Sequence, residues 1–190
     1  YAPIAYMSYS FYWVFIKDFV VLTQFAPKEK KQQFKFYVTF IGIKLFYLLY
    51  LLVFPILFSQ QSIWIILIAF LALHMVQSLY TLFTFFITHH VWGSKYPKLT
   101  KEGLISTSWF MNQIKSSNDF YPFSHTANFI FGGVNNHIAH HLFPHISHYH
   151  YPKVNKVLYQ LLLENNITPN QTTYLGGVLS HLRLLKKRGV

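Results

Sequence analysis

Residues 45–94 read LFYLLYLLVFPILFSQQSIWIILIAFLALHMVQSLYTLFTFFITHHVWGS, fifty positions without one Lys, Arg, Asp or Glu. A run of that length without charge is rare in a helix pair buried inside a soluble protein. It predicts two membrane spans, roughly 36–58 and 62–87, each at or above the ~20 helical residues that cross a hydrocarbon core. Only Ser59, Gln60, Gln61 and Ser62 connect them, so a tight antiparallel hairpin is expected. Lys28, Lys30, Lys31 and Lys35 precede the first span, and Lys95, Lys98 and Lys101 follow the second. The positive-inside tendency puts both ends of the hairpin, and every histidine after it, in the cytoplasm.

Composition agrees with lipid as part of the solvent. Hydrophobic residues make up 53%, aromatics 20% and charged residues only 11%, against roughly 25% charged in soluble domains. The net charge is +11. The basic residues flank apolar spans rather than form a stripe, which favours an anionic leaflet over nucleic acid as partner. There is no cysteine, so disulfides, zinc–thiolate sites and iron–sulfur clusters are excluded. The chain starts at Tyr1 with no signal-peptide pattern, and reads as a fragment or a processed product.

Three polar residues interrupt the spans. Lys44 is expected to snorkel to the cytoplasmic side. His74, near mid-span, is costly unless it faces protein, and a helix-packing hydrogen bond is preferred to metal ligation. Gln77 is the third. Residues 8–25 are rich in aromatics around Lys17 and Asp18, and suggest an interfacial or partly inserted helix. Beyond the hairpin, helices are expected over 106–119, from Pro152 to Glu164, and from Gly177 to Lys187. The expected architecture is an all-α integral membrane protein: a transmembrane hairpin over 36–87, an interfacial helix at 8–25, and a cytoplasmic, histidine-rich helical cap over 88–190.

Chemistry concentrates in that cap. His137, His140 and His141 form an HxxHH box, and His145, His148 and His150 follow at once; these six of eleven histidines lie within fourteen residues. On a helix, positions i, i+3 and i+4 share a face, so the first three can converge on a metal such as iron or zinc. A solvated polar helix is the plainer alternative. Ile138 stands where a zinc metalloprotease has its Glu, so the HExxH motif is absent. The Glu-x-x-His ligands of soluble di-iron bundles are also missing. An oxygen-activating site here would be almost wholly imidazole.

The run Gly132-Gly133-Val134-Asn135-Asn136-His137-Ile138-Ala139-His140-His141-Leu142-Phe143-Pro144 resembles the third histidine box of membrane fatty acid desaturases. Ile146 to Lys153 resembles the tail of that box in bacterial acyl-CoA and acyl-lipid, linoleoyl-CoA-type, desaturases. Weaker similarities, in the right order, run from Trp13 to Phe19, Trp109 to Phe120, and Ser180 to Lys186. The resemblance implies the C-terminal part of a single desaturase domain, with a di-iron centre ligated by histidines from three boxes and one extra His after the hairpin. It implies removal of two hydrogens from an acyl-CoA or acyl-lipid chain, using O2 and electrons from cytochrome b5 or a ferredoxin. A methylene C–H is not acidic, so a metal-based oxidant rather than acid–base catalysis has to break it. His137, His140 and His141 fall on the box-three ligand positions. His90 aligns with the extra ligand, and His89 is read as its neighbour; interfacial polarity is the pair's other reading. His145, His148 and His150 are read as supporting or surface groups, and His125 and His181 as ordinary polar positions. Many front-end desaturases carry Gln and Glu where this chain has His137 and Ala139, and bacterial relatives commonly show His where it has Asn112. The family's first two boxes, HxxxH and HxxHH, are absent from these residues, so the 190-residue chain is expected not to desaturate alone. The alternatives are a non-catalytic membrane remnant that binds a metal through the box, or a related lipid hydroxylase.

Overall fold

The computed structural model describes residues 1–189, and the chain is mostly helical. It divides into two compact units, residues 1–80 and 81–190.

The first unit begins with α1 (Ala2–Met7), α2 (Tyr9–Tyr12) and α3 (Asp18–Phe25), the last two joined by a π-helical turn over Trp13–Lys17. Then come α4 (Lys30–Leu48), a second π-helical turn (Leu49–Val53) and α5 (Phe54–Phe58). The second turn has a local cause. Pro55 has no N–H to give the carbonyl four residues back, and the helix relaxes there. Lys30–Phe58 forms one 29-residue rod of mean hydropathy 2.2, and α6 (Ile63–Phe86) is a 24-residue rod of mean hydropathy 2.0. Both are long and apolar enough to cross a membrane. They lie close to the spans expected at 36–58 and 62–87. Between them Gln60 takes a left-handed conformation, φ 53°.

Polar groups inside this unit pair with one another, as apolar surroundings require. His74 is fully buried. Its Nδ1 lies 2.7 Å from the Ser10 hydroxyl and its Nε2 2.7 Å from the Tyr47 hydroxyl, while the Ser78 hydroxyl donates to the His74 carbonyl at 2.6 Å. Three helices meet at this one imidazole. Lys44 departs from the snorkelling expectation: its ammonium donates to the Asp18 carboxylate and, at 2.8 Å, to the Val14 carbonyl. Val14 sits in the first π-helical turn. A carboxylate within reach removes the reason for the lysine to seek the interface.

The second unit holds α7 (Trp109–Ser116), α8 (His125–Ile130), α9 (His137–Leu142), a 3₁₀ turn (His148–His150), α10 (Tyr151–Glu164) and α11 (Tyr174–Arg188). Ser108, Ser124 and Thr173 cap α7, α8 and α11 by accepting from the N–H of Met111, Ala127 and Gly176. Pro152 sits in the first turn of α10, where its missing N–H costs nothing. The helix expected over 106–119 is shorter. Its end leads into β1 (Asp119–Phe120), which pairs in parallel with β2 (Gln171–Thr172). Ile114, Ile138, Leu158 and Leu162 form one buried cluster, and Ile87, Val91 and Phe120 another. At six residues α9 is far too short to be helical alone. It exists because Ile138 and Ala139 are fully buried and because its first N–H groups find acceptors elsewhere.

Candidate metal centre

The box helix presents its histidines in two directions. His137 and His141 are one turn apart and differ by about 40° around the axis, whereas His140 and His141 differ by about 100°. His137 and His141 accordingly meet, with Nε2 atoms 3.1 Å apart. His89, three residues beyond the end of α6, completes the group: its Nε2 lies 2.8 Å from that of His137 and 3.3 Å from that of His141. Among the described residues this is the group of three that can hold one ion. Two nitrogens bound at right angles to a cation at about 2.1 Å would lie about 3.0 Å apart. The observed triangle therefore fits a single ion held from one side.

The ring orientations fit as well. The Nδ1–H of His89 donates to the Ser116 carbonyl at 3.0 Å, so its Nε2 carries the free lone pair aimed at the other two rings. His137 is 8% exposed. Burial first, then the charges of His89, His141 and His140, hold its pKa down to about 2, opposed only by the Val134 backbone. Burial, followed by His89 and His140, likewise depresses His141. A neutral imidazole is the ligand form, so both rings are preset for a cation.

The sign of the pH effect follows. Below about pH 6.5 the unfolded chain takes up a proton that buried His137 refuses, so this residue contributes a loss of stability that grows as pH falls toward 2. In the metal-free chain the ring-proton resonance of His137 is expected to stay fixed from about pH 8 to 5, where free histidines move. An NMR titration checks this, and a midpoint near 6 for His137 would contradict its burial.

The other expected ligands stand apart from the triangle. His140 is exposed and lines a cavity of about 340 Å³ together with His137, Val134, Pro144 and Tyr151. Its Nδ1 is 3.4 Å from the Tyr151 hydroxyl. His148 also borders this cavity. Gly133, at φ +82°, stands directly against the His148 side chain, where any Cβ would collide. His90, expected ahead of His89, turns the other way: its Nδ1 is 2.7 Å from the Tyr96 hydroxyl, which donates to the His89 carbonyl at 2.8 Å. Burial, then His181, His89 and Arg188, lowers the His90 pKa. His181, read as ordinary, is buried, and its Nδ1–H donates to the His90 carbonyl at 2.8 Å.

No local sequence pattern marks Asp119, a fully buried carboxylate. Its Oδ1 accepts from the Ile138 N–H at 2.8 Å, and its Oδ2 from the Tyr159 hydroxyl at 3.0 Å and, more weakly, the Asn155 amide at 3.4 Å. Burial pushes its pKa up to about 7, against the downward pull of these donors. Burial and the Asp119 charge raise Tyr159.

Two apolar rods and an all-imidazole cluster define a helical membrane protein with a candidate metal site. The chain belongs to the fatty acid desaturase family: the model of that family matches residues 1–173. It is similar to an acyl-lipid (8-3)-desaturase of Physcomitrium patens, 27% identical over 195 residues, covering all of this chain and 40% of the relative. An acyl-lipid (8-3)-desaturase of Mortierella alpina is 31% identical over 107 residues, 56% of this chain and 24% of the relative. Acyl-lipid (8-3)-desaturase B of Dictyostelium discoideum is 27% identical over 128 residues, 66% and 26% respectively. The chain thus spans less than half the length of these relatives. No solved structure gives a significant match.

Proposed function

We propose that these residues carry one ligand set of the iron centre of an acyl-lipid desaturase. The observation that carries this reading is the triangle of Nε2 atoms from His89, His137 and His141 in a chain of the desaturase family. The names of the relatives favour an acyl-lipid over an acyl-CoA substrate.

In this reading His89, His137 and His141 hold one ion. His140, facing the adjoining cavity, serves a second together with histidines from outside these 190 residues. Bound iron supplies the oxidising power, drawn from O2 and two electrons, that an unactivated methylene requires. The protein's part is placement: Val134, Pro144 and Tyr151 shape the cavity in which the acyl segment lies against His137 and His140. Burial of His137 keeps its lone pair free of a competing proton.

The length and apolar character of the two rods support a membrane hairpin, and the lysines flanking them favour the cytoplasmic side for the histidines. The same lysines suit an acidic electron carrier, cytochrome b5 or a ferredoxin. The test is expression of the full-length protein with its electron donor and analysis of host lipids. A new acyl double bond is expected, lost in His137→Ala along with iron from the purified protein. Unchanged desaturation by that variant would overturn the reading.

A further inference from the structure

The two parts of the ligand triangle come from segments 48 residues apart in sequence, yet an ion accepts nitrogen positions only to within about 0.2 Å. Something has to set their separation. The segment Ser116–Phe120 touches both. On one side the Asn118 N–H donates to the Thr88 carbonyl at 2.7 Å, the Asn118 amide to the Ile87 carbonyl at 2.9 Å, and the Ser116 carbonyl accepts from the His89 ring. On the other side Asp119 Oδ1 accepts the Ile138 N–H, and the Phe120 N–H donates to the Asn135 carbonyl at 3.0 Å. Pairing of β1 with β2 holds the segment straight, with the Asp119 N–H donating to the Asn170 carbonyl.

We propose that Asn118, just before β1, and Asp119, its first residue, are positioning residues that fix the spacing of the two ligand-bearing segments, one gripping the chain at His89 and the other the start of α9. The proposal rests on His89, His137 and His141 being the ligands. Asp119 serves as an acceptor on both oxygens: Oδ1 takes the Ile138 N–H, and Oδ2 the Tyr159 hydroxyl and the Asn155 amide. An amide there can keep its oxygen on the Ile138 N–H and turn its NH2 to the Tyr159 hydroxyl, which also accepts, so truncation of the side chain rather than the isosteric amide releases α9. Asn118 is fully buried, and its side-chain donor is likewise committed to the Ile87 carbonyl and, at 3.0 Å, the Thr172 hydroxyl. Neither residue is among the three candidate ligands, so both act through the residues they hold.

The test compares Asp119→Ala, Asn118→Ala and Tyr159→Phe in the full chain in lipid nanodiscs. Cobalt(II) affinity is measured by competition with a chromophoric chelator, together with the ligand-field spectrum and the thermal midpoint. Asp119→Ala and Asn118→Ala are expected to lose about 10- to 100-fold in affinity, as support residues of metal sites do, with an altered spectrum. Tyr159→Phe removes one donor from the same carboxylate but leaves its bond to α9, so it is expected to lower the midpoint while keeping affinity and spectrum. Wild-type affinity in folded Asp119→Ala, or loss in Tyr159→Phe equal to that in Asp119→Ala, would overturn the proposal. If the wild-type chain binds no cobalt, the ligand reading fails. The positioning role is then decided in the metal-free chain by the ring ¹⁵N shifts of His89 and His137. These are expected to move in Asp119→Ala and Asn118→Ala and not in Tyr159→Phe; shifts unmoved in the first two would overturn it.

Discussion

Alanine at His89, His137 or His141 is expected to weaken metal binding by about 100- to 1000-fold, and alanine at His140 by far less. The magnitude follows from the ~10–16 kcal/mol of a four-ligand zinc site, or about 2.5–4 kcal/mol per ligand, at 1.4 kcal/mol per decade. The contrast follows from direction. His140 and His141 are neighbours in sequence, but only His141 turns its Nε2 to within 3.1 Å of His137 and 3.3 Å of His89. His140 looks into the cavity beside Tyr151. Chelator competition on the purified chain checks this with one ion per site. Equal loss from His140→Ala and His141→Ala would show that the triangle is misassigned. His90→Ala provides a further contrast: its ring hydrogen-bonds Tyr96 outside the cluster, so affinity should be nearly retained.

Features written in local pattern were legible in the sequence. The two long apolar helices showed because the stretch 45–94 carries no charge at all. The HxxHH box showed because helical spacing groups its rings. What local pattern does not encode is which of those rings meets a partner from elsewhere. Periodicity puts His137, His140 and His141 on one broad face. The choice of His141 over His140, and of His89 over His90, depends on where the chain after α6 lies, and that is fixed by the Ser116 carbonyl and by Asn118. The β1–β2 pair joins Asp119 to Gln171 across 52 positions with two residues a side, too short to leave a strand signature. Asp119 therefore read as the end of a helix rather than as the acceptor on which α9 starts. The helix α8 leaves no clear pattern for a related reason: it is six residues long, with its cap at Ser124.

The same distinction governs Lys44, whose partner lies 26 residues earlier. Removing that partner by Asp18→Asn is expected to destabilise the first unit by about 2–3 kcal/mol, between the 0–1 of an exposed pair and the 3–5 of a fully buried one. Lys44 is fourteen residues into α4, about 21 Å from its start, and its side chain is 17% exposed against 32% for Asp18. Phe40 and Phe19 lie 5.4 and 5.9 Å from its ammonium. The rings and the Val14 carbonyl soften the loss of the carboxylate but do not neutralise the charge. Asp18→Leu with Lys44→Met removes both charges and leaves no ion to desolvate. It is expected to melt near the wild-type midpoint, well above either single change. Melting of the four forms in one detergent gives the coupling directly. Additive losses in the double variant would mean that the lysine reaches water by snorkelling and that its contact with Asp18 carries no weight in the fold.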